Sequence, residues 1–160
     1  MTEGRGRLRA PAMAVVLAVL AAGTAAGHAY LRSALPAEES TVASAPTEVR
    51  LQFTEPVEVR FSTFKVYPVP AEPGWDRRRL NAAAGAIVSN VLRRAGDEAE
   101  RADDGLATTA RTTTDVVIRL KPRLTPGAYV VMWRVLSIDT HTTQGFYVFT
   151  VAPGAARGRE

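Results

Sequence analysis

The chain has 160 residues, 20 basic against 16 acidic side chains for a formal net charge of +4, 46% hydrophobic residues and no cysteine. The missing thiol excludes disulfides, thiolate zinc sites, iron–sulfur clusters and cysteine nucleophiles together. A small net charge without an aromatic-laced basic stripe argues against nucleic acid as a partner. At the N-terminus, Arg5, Arg7 and Arg9 precede an apolar run from Ala12 to Ala22, and small residues follow. That is the order of a secretory signal. The run is about half of the roughly 20 residues a membrane-spanning helix needs, so residues 1–27 are read as a signal peptide, the alternative being an uncleaved anchor. A cut between Gly27 and His28 puts Ala25 and Gly27 at the two small-residue positions before the scissile bond; a cut after Ala29 obeys the same rule and discards His28. With His28 first, roughly 130 residues remain, one domain of ordinary size.

Beyond the signal, TEVRLQF (47–53) alternates strictly, with Val49, Leu51 and Phe53 on one face and Glu48, Arg50 and Gln52 on the other. This is the pattern of a half-buried strand. VEVRFSTFKVYPV (57–69) is rich in β-branched and aromatic residues and reads as a second strand, bulged or interrupted. TTDVVIRLK, the turn PRLTPG, and AYVVMWRVLS then read as strand, tight connection, strand, with Pro126 and Gly127 as punctuation. GFYVFTV (145–151) is the last strand. Trp133, between Val131 and Val135 on one face, is expected in the core, as are Phe149 and Val151 or their alternates Tyr147 and Phe146. Short strands separated by turn signals predict an all-β, antiparallel sandwich or barrel.

One segment departs from this period. In RRLNAAAGAIVSNVLRRAG, Leu80, Ala84, Ile87, Val88, Val91, Leu92 and Ala95 recur at helical spacing, with Gly96 where a C-cap belongs. A single helix lying against the sandwich is predicted. The following DEAERADDG carries Asp97, Glu98, Glu100, Asp103 and Asp104; the reading preferred over a metal trap is a solvated helix end and loop. The tail from 154 to 160 is short.

SIDTHTTQG (137–145) holds the second of only two histidines. Asp139 and His141 are two residues apart, a spacing that turns both side chains to one side in extended backbone. Such a pair is a surface contact, a catalytic dyad or two metal ligands. For a dyad, Ser137, Thr140, Thr142 and Thr143 are nearby hydroxyls, but no nucleophile-elbow context surrounds them. The metal reading strengthens if His28 is the mature N-terminus, because its α-amine and Nδ1 then form a six-membered chelate. An imidazole from His141 and an oxygen from Asp139 complete a tetragonal N,O set, the preference of Cu(II). An α-amine, with a reference pKa near 8, must lose its proton to bind, so affinity weakens in acid. Arg134, Thr140 and Thr142 are candidates to orient the ligands.

At this point the chain resembles the CopC family of exported copper-binding proteins. The resemblance rests on HAYLRSALPAEES from His28, on LQFTEPVE (51–58) and on GAYVVMWRVLSIDTHTTQGFYVFTV (127–151). It implies a Greek-key β-barrel or sandwich, immunoglobulin-like or cupredoxin-like, over residues 28–153. It also implies a Cu(II) site built from His28, Asp139 and His141, with Glu55 of the F-T-E-P stretch as an axial or outer group. A location in the periplasm or extracytoplasmic space and a CopD-type membrane partner follow from the same resemblance, and a monomer is expected. Two features depart from the family pattern. Met132 is the only methionine after the signal, so no methionine-rich Cu(I) site is expected. A helical insertion from about Trp75 to Thr113 is the other.

Capture and release of copper, without bond-making in a substrate, is the activity so implied. The alternatives are a histidine-brace copper monooxygenase, against which Asp139 would compete for the position oxygen chemistry needs open, and an immunoglobulin-like structural module without metal.

Overall fold

The computed structural model describes residues 28–154; the expected signal peptide, 1–27, lies outside them, as does nearly all of the tail. The described residues form eight strands, β1 (Leu31–Leu35), β2 (Thr41–Val42), β3 (Glu48–Glu58), β4 (Thr63–Val69), β5 (Asp103–Leu106), β6 (Thr112–Leu120), β7 (Gly127–Leu136) and β8 (Thr142–Val151), and a helix α1 (Arg77–Val91). They build a sandwich of two four-stranded sheets, ordered β1-β3-β6-β5 and β2-β8-β7-β4. Pairing is antiparallel except for the two-residue β2, which runs parallel to β8. The expected all-β sandwich with one helix is therefore the observed architecture.

Alternation decides which side chains fill the space between the sheets. Val49, Leu51 and Phe53 of β3 point inward and are essentially solvent-free, as are Val131 and Val135 of β7 and Phe149 and Val151 of β8. Trp133 joins them, edge-on to Phe53 with ring centroids 6.1 Å apart, a geometry worth about 0.5–1.5 kcal/mol beyond simple burial. Its indole lies over Gly145, the cross-strand partner on β8. A Cβ there would come within 2.5 Å of the ring, so only glycine fits. Tyr147 is buried and donates its hydroxyl hydrogen to the Pro36 carbonyl at 3.0 Å. Phe146 faces the other way, toward Gly85 of α1, and is partly exposed.

The stretch 57–69 is interrupted, as expected: β3 runs on through Pro56 to Glu58, a 3₁₀ turn covers Val59–Phe61, and β4 starts at Thr63. The Ser62 hydroxyl accepts a hydrogen bond from the Leu136 N–H at 3.1 Å, tying this turn to the end of β7.

Helix α1 lies on the outer face of the second sheet. Asp76 caps its start, accepting from the Arg79 N–H at 2.8 Å. Its apolar stripe, Leu80, Ala84, Ile87, Val88 and Val91, covers Tyr67, Val69, Val130, Met132 and Val148. Met132 is fully buried in this second core. The helix ends otherwise than its sequence predicts. Leu92, not Gly96, is the C-cap, and Gly96, at φ +71°, lies four residues further on. The terminating group is Lys65 of β4, whose ammonium donates to the carbonyls of Val91 (2.8 Å) and Arg94 (2.5 Å). A cation suits this end of a helix because the carbonyls left unpaired there carry partial negative charge.

The acidic stretch likewise departs from the expected solvated loop. Glu98, Glu100 and Asp104 are exposed, but Asp97 and Asp103 are buried. Asp97 accepts from Lys65 Nζ at 2.5 Å and from the Tyr67 hydroxyl at 2.7 Å. Asp103 pairs with Arg101 and accepts the Val66 N–H at 2.7 Å, which joins the edge of one sheet to the edge of the other. Of the stretch 75–113, only Arg77–Val91 is helical; its second half is loop and strand β5.

Candidate metal centre

Strands β7 and β8 pair over ten residues, from Gly127↔Val151 to Leu136↔Thr142, and residues 137–141 connect them. The D-x-H element is thus the tip of a hairpin. Asp139 and His141 face each other because of a turn rather than the extended backbone expected from their spacing. The Thr140 N–H donates to the Ser137 carbonyl at 3.0 Å and the Ser137 N–H to the His141 carbonyl at 2.9 Å. Thr140, between the two, has φ +72°, a left-handed conformation costly for a β-branched residue. Backbone strain of this kind concentrates at functional sites. The tip is fastened to β3 by a bridge between Ser137 and Val57 and by the Ile138 N–H donating to the Pro56 carbonyl at 3.2 Å.

Within the turn, Asp139 is held from three sides. The buried Ser137 hydroxyl donates to Oδ1, the His141 N–H also reaches Oδ1 at 3.1 Å, and His141 Nδ1 lies 3.0 Å from Oδ2. The hydrogen bonds from Ser137 first, and then from the His141 backbone and ring, pull the Asp139 carboxyl down to about 2. It is therefore a carboxylate at any pH where a divalent cation would bind. An ionised carboxylate only accepts hydrogen bonds, so the hydrogen on this face of His141 belongs to Nδ1 and the lone pair to Nε2. His141 is about half exposed, Asp139 much less.

The N-terminal segment reaches the same place from the opposite sheet. The Thr54 N–H donates to the Tyr30 carbonyl at 2.8 Å; the Thr54 hydroxyl accepts from the Tyr30 N–H at 3.0 Å and donates to the His28 carbonyl at 3.2 Å. Ala29 is fully buried in the inter-sheet core, and its carbonyl accepts from the Thr143 hydroxyl at 2.6 Å. His28 is delivered beside His141, with ring centroids 4.8 Å apart and planes inclined at 42°. Tyr30 stands 5.9 Å from the His28 ring.

Of the four residues expected at the site, His28, Asp139 and His141 are therefore neighbours: His28 meets His141, and His141 meets Asp139. Glu55 lies half-buried on β3. Among the described residues, no three His, Asp or Glu side chains form a ready-made metal cluster. The side chains of Arg134, Thr140 and Thr142 do not hydrogen-bond the pair, Thr140 acting through its backbone turn alone; the side chain bonded to Asp139 from outside is Ser137. Ser137, Thr54 and Thr143 shape the site without having been singled out for that role. Their signal was a hydroxyl residue directly beside or near each candidate ligand, a pattern too common in loops to be selective.

A two-sheet all-β domain with two imidazoles and a carboxylate drawn together at one end is a β-sandwich with its candidate site at that end. The family model for the CopC domain matches residues 31–152, and the chain belongs to the CopC family. It is 33% identical over 133 residues to Copper resistance protein C of Pseudomonas syringae pv. tomato, covering 83% of this chain and 87% of that one. A match of 28% over 128 residues joins it to Copper transport protein CutJ of Bacillus subtilis, covering 80% of this chain but 19% of that one. Among solved structures it resembles PcoC, a methionine-rich copper resistance protein from Escherichia coli, with TM-score 0.55 and 27% identity over 78% of this chain and 99% of that one. His28 lies just outside the matched residues.

Proposed function

We propose that this chain is an exported Cu(II) carrier or buffer that binds one ion at the end of the sandwich where His28 meets His141. The observation that carries this reading is the approach of the two histidines, 113 positions apart in sequence, to a ring separation of 4.8 Å. In it, cleavage before His28 frees an α-amine that chelates with Nδ1. His141 contributes Nε2, and Asp139 supplies negative charge either directly or through His141; Glu55 is at most an outer group. Nitrogen and carboxylate donors in a tetragonal set favour Cu(II). The one methionine of the described residues is buried under α1, which leaves no thioether at the surface for Cu(I). The site performs capture and release, with no substrate bond made.

The names of the relatives support copper resistance or transport as the setting. A CopD-type membrane partner acting in trans belongs to the same reading; the chain matches about a fifth of the length of Copper transport protein CutJ, so a domain like this one occurs within a longer copper transport protein. Among the described residues no helix is long and apolar enough to cross a membrane.

The test is competitive titration of Cu(II) against a chelator, using the chain that begins at His28, the chain that begins at Tyr30, and His141→Ala. One tightly bound Cu(II) is expected in the first, with nitrogen ligands in its paramagnetic resonance spectrum, and a loss of more than about 100-fold in the other two, beyond the range for removing an outer-sphere group. Equal affinities in all three would refute the site. The intact mass of the exported protein, expected to begin at His28, checks the cleavage point.

A further inference from the structure

We propose that Thr54 and Thr143 are positioning residues for copper: a two-point clasp that holds the N-terminal segment so that His28 stands opposite His141 before any metal arrives. This rests on the copper reading above and adds residues to it.

A ligand on the first residue of a chain has nothing upstream to restrain it. Ordinarily such a terminus frays, and each freely rotating backbone residue that must be fixed on binding opposes it. Here the residue directly after His28, Ala29, is a fully buried anchor. The carbonyls on either side of that anchor are both taken by threonine hydroxyls, His28 by Thr54 at 3.2 Å and Ala29 by Thr143 at 2.6 Å. The two threonines come from different sheets. Thr54 sits on β3, and Thr143 on β8 two residues after His141. Thr143 therefore ties the segment that carries one imidazole directly to the strand that begins just after the other. Thr54 sets its register, because the same hydroxyl accepts the Tyr30 N–H while the Thr54 N–H donates to the Tyr30 carbonyl.

The consequence is a population effect. Apparent affinity falls in proportion to the fraction of molecules in which the ligands are already together. Removing a clasp hydroxyl lowers that fraction without removing a ligand, as in other outer-sphere losses of 10- to 100-fold in metal affinity.

Thr143→Val and Thr54→Val delete the hydroxyl at nearly constant shape; Thr143→Ser keeps it. All are made in the chain that begins at His28, and folding is checked by a cooperative melt followed by tryptophan fluorescence. Cu(II) competition titration is expected to show about a tenfold loss for each valine variant and an affinity within about threefold of wild type for Thr143→Ser. In the chain that begins at Tyr30, Thr143→Val is expected to leave the residual affinity unchanged, since no His28 remains to be held; a general loosening of the fold would lower it in both backgrounds. If the Tyr30 chain binds weakly but both valine variants bind as wild type, the clasp is wrong and the copper site stands. If the Tyr30 chain binds as tightly as the His28 chain, the copper site and the clasp fall together. Should Thr143→Val melt early, Thr54→Val alone decides, with the same thresholds.

Discussion

Lys65 with Asp97 and His141 with Asp139 are both nitrogen–carboxylate pairs at short range, 2.5 Å and 3.0 Å, yet the first is sealed beneath α1 and the second stands at a hairpin tip. In the sealed pair every donor of the ammonium has a partner: two helix-end carbonyls and the carboxylate. Asp97 has in addition the Tyr67 hydroxyl, with Arg94 and Arg101 about 4 Å away. Nothing is left over for a ligand. At the tip, Asp139 spends its oxygens on Ser137 and His141, and the outward nitrogen of His141 remains free beside a second imidazole. Complete satisfaction makes a structural clamp; one unspent lone pair at the surface makes a site. The same contrast separates the acidic stretch after α1, which composition reads as a solvated helix end and loop rather than a metal trap, from the single aspartate that lies beside the histidines.

The sharpest break of this comparison is Lys65→Met. It leaves Asp97 buried beside an uncapped helix end, and losing one partner of a buried pair costs about 3–5 kcal/mol. A lowered denaturation midpoint in urea should register it, while any molecule that remains folded binds Cu(II) as wild type does. Ser137→Ala, at the tip, should do the reverse. It removes a hydrogen bond that holds Asp139 against His141, so Cu(II) affinity falls about tenfold, at the low end for outer-sphere groups, and the urea midpoint moves little.

Alkaline titration distinguishes the two clusters without metal. Burial first, and then its hydrogen bond to Asp97, push the Tyr67 hydroxyl up to about 12, from a usual value near 10. A phenol whose folded pKa is raised contributes stability that is complete below about pH 10 and is lost as pH rises toward 12. The difference in tyrosinate absorbance between wild type and Tyr67→Phe should show that late titration. On the acid side the sign reverses. Burial raises Asp97, but hydrogen bonds from Lys65 and Tyr67 outweigh it and hold the carboxyl below its ordinary range, so its contribution is present at neutral pH and is lost as pH falls below that range. The smallest effect is expected from Thr140→Gly. Relief of the left-handed backbone, worth about 1–2 kcal/mol, is largely offset by the entropy of a new glycine at about 0.5–1 kcal/mol. A gain of about 0.5 kcal/mol, with copper affinity near wild type, should follow; a loss of stability would show that the Thr140 side chain is needed at the turn.

Much of the fold was legible along the chain. The alternation of Val49, Leu51 and Phe53 and of Val131, Trp133 and Val135 named the inner faces, because a strand's period of two allows a residue only one side. The helix was legible from its stripe, but its end was not, since Lys65, 26 residues upstream, supplies the cap that Gly96 was expected to supply. The buried Asp97 and Asp103 were misread for the same reason. Whether a carboxylate is solvated depends on partners such as Lys65, Tyr67 and Val66, which local sequence does not display.

At the site, residue type and spacing nominated His28, Asp139 and His141, and they are the residues that meet. The number of histidines, the absence of thiols and the single methionine after residue 27 are chemical inventory, and inventory is determined by the sequence alone. Only the tertiary structure decided how the inventory is presented. The turn at Thr140, rather than extended backbone, aims Asp139 at His141, and Thr54 and Thr143, on strands from opposite sheets, bring His28 to them. Distances between segments a hundred residues apart are set by sheet pairing and core packing, which no local pattern encodes.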